Sequence, residues 1–234
     1  MLRMEILKLI RNNVVALIIA YILAMSIGIN ILSFGFDELA WVERWLPILT
    51  IFYVVILIDL LFWMAAMQIS EDMETNMIQV MRTSRNVIQY FFSKHVLLLL
   101  FILVAAFLGI IPMADQFGFV LNFLYVTLVF SVVMIASGVL LAMIVKKQSV
   151  VMLAGSVVTG FIFAVMVRLV FPLWNISPIP FNPFEAFIKA YYYLYLPVEP
   201  PNQSYVALTL IAVLFYIISL YVFKKLTFDR GFRL

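Results

Sequence analysis

Two charged residues fall inside long apolar runs of this chain, Asp59 and Arg168. Asp59 stands 12 residues past Pro47, about 18 Å along a helix at its rise per residue. If the run spans a bilayer, that depth is near the midplane. An ionised carboxylate there costs roughly 2.5–3.5 kcal/mol on insertion scales. It must face the bundle interior or water, or hold a proton. Two readings stand side by side: a residue on a translocation path or gate, and a structural hydrogen bond to a neighbouring helix. Arg168 lies four residues before Pro172, roughly 6 Å below the outer end of its run. Its long side chain can snorkel to the headgroups. Pairing it with Asp59 requires a depth offset of about 12 Å to be closed by reach and tilt.

Other chemistry is excluded by what is missing. None of the eight glycines opens a GxxxxGK[ST] loop, so ATP cannot be held here by a P-loop. One histidine, His95, rules out HExxH and makes a histidine-rich metal site implausible. No GxSxG is present, and the apolar runs are too free of polar groups for a catalytic set inside a membrane. No catalytic residue, metal or cofactor of this chain itself is expected, and no nucleic-acid partner. Cysteine is absent, so there is no disulfide framework. Lys94 and His95 read as the membrane entrance of a helix.

These residues must be positioned by membrane helices. The chain is 66% hydrophobic and 12% charged over 234 residues, far from the near-half apolar and quarter charged of soluble domains. Six runs reach the roughly 20 residues needed to cross a bilayer: about Asn13–Phe34, Leu46–Gln68, His95–Met113, Phe119–Val145, Ser149–Leu173 and Tyr205–Phe223. The first is too long for a signal-peptide core. Before it, Met1–Asn12 sets Leu2, Ile6, Leu9 and Ile10 on one helical face against Arg3, Lys8 and Arg11, as in an interfacial helix. With six spans, twelve of the fifteen basic residues share the side of both termini; only Arg44, Arg168 and Lys189 do not. That bias makes both termini cytoplasmic. All nine prolines then lie in the outer half. Within the outer segment before the last span, Pro183–Leu196 reads as a short helix dipping into the outer leaflet, with Tyr191, Tyr192, Tyr193 and Tyr195 as an interfacial belt. The expected fold is an all-α integral membrane bundle in one domain, 1–234.

The long polar interruption, Ile69 to Lys94, carries Glu71, Asp72, Glu74, Arg82, Arg85 and Lys94. A short amphipathic helix here offers Met77, Ile78 and Met81 to a groove and the three acids to a basic rim. The acids in its first turn suit the helix dipole. The bland alternative is a solvated loop with no partner.

This stretch resembles the cytoplasmic loop between the second and third spans of type-2 ABC-transporter permeases. The resemblance rests on Glu71-Asp72-Met73-Glu74-Thr75, then Met77-Ile78-Gln79-Val80-Met81, then Ser84-Arg85 and Ser93-Lys94. Glu74 stands where that family often has Gly, and the proline usual near the Ser-Arg pair is missing. The order of interfacial helix, six spans and outer helical segment is similar to that family along the whole chain. It looks most like small bacterial exporters of bacteriocins, lantibiotics or phenol-soluble modulins.

The resemblance implies a half-transporter in the bacterial cell membrane. Two such chains, identical or related, would pair with two separate ATP-binding-cassette ATPase subunits, which hold the ATP and magnesium. Glu71, Asp72, Glu74, Thr75, Met77, Ile78, Met81 and Arg85 would form the coupling helix. A cavity rich in Phe and Met favours amphipathic peptide or lipid-like cargo. Two other classes remain open. An ion-coupled secondary transporter would use Asp59 as its site. A peptide-capturing immunity protein would use the tyrosine cluster.

Overall fold

The computed structural model describes residues 20, 24, 25, 27–29, 31, 40–74, 87–111, 117–145, 147–170, 184–195 and 202–228. Among these there is no strand. Six helices follow one another: α1 Ala40–Glu74, α2 Val87–Gly109, α3 Phe117–Val145, α4 Gln148–Val170, α5 Glu185–Tyr195 and α6 Asn202–Phe228. Five stretches within them are long and apolar enough to cross a membrane: Ile48–Glu74, Phe91–Gly109, Gly118–Val145, Gln148–Val167 and Tyr205–Lys225. Of the expected first span only a few residues are described; all are helical, and Ile29 is buried in the core. The interfacial helix expected over Met1–Asn12 lies outside the described residues.

α1 is the axis of the bundle. Its 35 residues extend about 52 Å, and 67% of its most apolar window is buried, against 22% for α6. Side chains all round it are enclosed, among them Tyr53, Val55, Ile58, Phe62 and Ala66. A helix apolar on every side belongs inside a bundle or a membrane. α4 and α6 instead turn Leu153, Val157, Leu210, Leu214 and Ile217 outward. Such faces are unfavourable in water and ordinary against lipid.

α1 and α3 run parallel and touch closely. A Cβ on Gly138 would stand 2.5 Å from the Phe62 carbonyl oxygen and 3.2 Å from the Ala66 nitrogen. Only a glycine lets the two backbones approach so nearly. At one end of the bundle Ala66, Ile69, Phe91, Met143, Val151 and Phe223 form one apolar cluster. This brings the ends of α1, α3 and α6 together with the starts of α2 and α4, so consecutive spans alternate in direction. Lys147, Lys224 and Lys225 are exposed at that same end, as are Glu71 and Glu74.

At the opposite end Tyr53 donates to the Ala105 carbonyl at 2.8 Å, tying α1 to α2. The short α5 enters the bundle rather than lying across it. Phe184, Phe187, Ile188 and Tyr191 recur at helical spacing and are all buried. The Phe187 ring stacks on Phe130, midway along α3, at 4.9 Å and 7°. Tyr191 therefore does not belong to a surface belt. It donates to Thr127 Oγ1 at 2.9 Å, and Thr127 donates to the Phe123 carbonyl at 2.8 Å. A buried tyrosine needs a partner for its hydroxyl, and α3 supplies one. On the other face of α5, Glu185 and Lys189 pair at 2.7 Å across one turn.

Candidate functional sites

The acidic end of α1 is built as part of the bundle. The helix does not stop with hydropathy at Gln68 but continues through Glu74. Ser70 and Asp72 are buried, while Glu71 and Glu74 are exposed. Ser70 donates back to the Met67 carbonyl at 3.0 Å, so its hydroxyl is satisfied without leaving the helix. Glu74 Oε1 accepts the backbone N–H of Gln148 at 2.8 Å. That N–H opens α4, and Lys147 is the capping residue, its carbonyl accepting from Val151 at 2.9 Å. A carboxylate here satisfies an orphan donor and sits at the positive end of the α4 dipole. The three acids thus have three surroundings: Glu71 faces outward, Asp72 is enclosed, and Glu74 clasps α4. Thr75, Met77, Ile78, Met81 and Arg85, expected to continue the coupling helix, lie outside the described residues.

Behind this end is an aromatic packing site. His95 is buried, its ring 4.0 Å from that of Phe91, with Nδ1 3.4 Å from the Tyr216 hydroxyl. Phe91 also meets Phe223 at 5.0 Å. His95 joins α2 to α6 inside the bundle; it is more than a marker of the membrane entrance.

The second site lies in the middle of α1. Asp59 is about 16 Å along the helix from Ile48 and about 22 Å from Glu74, and only 7% of it is exposed. Thr159 on α4 sets its Oγ1 3.0 Å from Asp59 Oδ1 and 3.1 Å from Oδ2, and donates to them. Trp63 Nε1 in turn donates to Thr159 Oγ1 at 3.1 Å. Trp63 stands one turn beyond Asp59 on the same face of α1. The indole comes close to α4 where residue 155 is glycine: a Cβ there would stand 2.7 Å from the ring. Among the described residues no basic side chain meets Asp59. Arg168 is in the last turn of α4, about 13.5 Å along the axis from Thr159; its side chain is not among those described. Asp59 and Arg168 are therefore at different depths along the bundle.

The i, i+4 relation of Asp59 and Trp63 was visible in the sequence. Thr159 was not, because nothing local says which face of α4 meets α1. Among the described residues no group of three or more His, Asp or Glu could hold a metal ion. Among the described residues the fold is an all-helical bundle compatible with a multi-pass membrane protein, and both Asp59 and Asp72 are buried in it. No family model matches the chain, and no curated protein or solved structure matches it.

Proposed function

We propose that this chain is the membrane-spanning subunit of an ATP-binding-cassette transporter that exports amphipathic peptides, powered by ATP hydrolysed in a separate subunit. The reading places it in a bacterial cell membrane with both termini in the cytoplasm, paired with a second permease chain. One observation supports it above others. The central helix passes unbroken from the middle of the bundle into an exposed acidic end, and that end is bonded to the first turn of α4. A push on Glu71 and the residues after it reaches two spans at once, along a stiff helix. This is the mechanical arrangement that an external motor requires.

The test uses the purified chain in lipid nanodiscs with its candidate ATPase. The chain should bind the ATPase and change its hydrolysis rate, and Glu71→Lys should weaken both. An ATPase that neither binds nor responds contradicts the reading. An ion-coupled carrier is the second reading, favoured by the enclosed Asp59. It predicts transport that survives ATP depletion and collapses with an uncoupler.

A further inference from the structure

We propose that Asp59, with the Trp63 indole beside it, is a binding site for an organic cation, an ammonium or guanidinium group borne by the ligand. One hydroxyl, that of Thr159, lies within 3.1 Å of both carboxylate oxygens, and a single proton can serve only one of them at a time. The one N–H of Trp63 donates to Thr159 Oγ1 at 3.1 Å. One shared hydroxyl leaves lone pairs of an enclosed carboxylate unsatisfied, where about four can be filled. Buried charges are normally paired, and among the described residues no cation stands against this one.

The surroundings select the kind of cation. A bare metal ion needs several oxygen ligands. Here Thr159 Oγ1 already accepts the Trp63 N–H, and the Trp63 indole stands one turn along α1 from Asp59. A carboxylate next to an indole suits an organic cation, which donates a hydrogen bond to the carboxylate on one side and meets the aromatic ring on the other. Gly155 holds the ring in place by giving it room. One turn away on each helix are Phe62 and Ile162, both buried and apolar, so a charged group enters attached to apolar material. The site thus fits the basic residues of an amphipathic peptide. Calling that ligand the cargo rests on the transport reading above; the binding itself does not.

The chain in zwitterionic nanodiscs, without any ATPase, is titrated with a fluorescent amphipathic helix of leucine and lysine, and with the same peptide fully lysine-acetylated. Empty discs are subtracted. The native chain should prefer the cationic peptide by about tenfold. Asp59→Asn should remove the preference, Trp63→Phe should reduce it several-fold, and Thr159→Val, which keeps the carboxylate, should retain it. A purely structural Asp59 would make Asp59→Asn and Thr159→Val alike. Equal affinities in the native chain, or a preference that survives Asp59→Asn, overturn the proposal. So does a preference lost in Arg168→Gln while Asp59→Asn keeps it. If Asp59→Asn fails to fold, the native, Trp63→Phe and Thr159→Val measurements decide. Failure here leaves ATPase docking untouched, since no ATPase takes part.

Discussion

Replacing Gly138 by alanine attacks the seam on which the whole bundle is assembled. The added Cβ would lie 2.5 Å from the Phe62 carbonyl oxygen, 3.2 Å from the Ala66 nitrogen and 3.3 Å from the Phe62 carbonyl carbon. All three atoms are backbone, so no rotamer change relieves the contact. Ordinary carbon–oxygen contact needs roughly 0.8 Å more. α1 and α3 must therefore separate locally, and interiors packed at crystal density resist that. Overpacking of this kind costs about 1–3 kcal/mol. Alanine also favours the helix by about 1 kcal/mol over glycine, which masks part of the loss. Gly160→Ala provides the control, because nothing lies within 4 Å of its Cβ position. The propensity term is common to both variants, so their difference isolates the clash. Reversible unfolding in mixed micelles should place Gly138→Ala about 1–3 kcal/mol below Gly160→Ala. Equal stabilities, within about 0.5 kcal/mol, would refute the parallel α1–α3 packing described here.

Further expectations follow from the two ends. Glu74→Ala removes the acceptor for the Gln148 N–H and should cost about 0.5–2 kcal/mol; faster hydrogen exchange at the first turn of α4 would report it, and unchanged exchange would argue against the clasp. Tyr191→Phe removes the bond to Thr127 and should cost about 0.5–1.5 kcal/mol. Phe187→Ala, which deletes a ring stacked on Phe130, should cost more, about 3–5 kcal/mol. The two are compared by thermal unfolding, and the order of their effects is the test: α5 lying on the surface would make both small.

Hydropathy located the spans well and their faces poorly. The run expected over Tyr205–Phe223 matches the observed apolar stretch Tyr205–Lys225, and Phe119–Val145 matches Gly118–Val145. The short helix expected over Pro183–Leu196 is Glu185–Tyr195. Those limits are set by local chemistry, by proline and by the loss of apolar residues. α1 overran its expected end because hydrogen bonding does not stop where polarity begins. Ser70 and Asp72 remain helical and become enclosed by neighbours distant in sequence. Tyr191 looked like a belt residue because tyrosine favours interfaces, but helical phase placed it against α3. Asp59 was conspicuous by its charge alone. Its Thr159 partner depends on how α1 and α4 face each other, which one-dimensional spacing does not encode.

The measurement that bears most directly on the proposed role is the accessibility of residue 71. The chain contains no cysteine, so Glu71→Cys introduces a unique thiol at the exposed end of α1. A membrane-impermeant maleimide should leave it unlabelled in intact cells, label it in inside-out vesicles, and be blocked there by the bound ATPase. Labelling in intact cells would put that end of the bundle outside, beyond the reach of any ATP-driven partner.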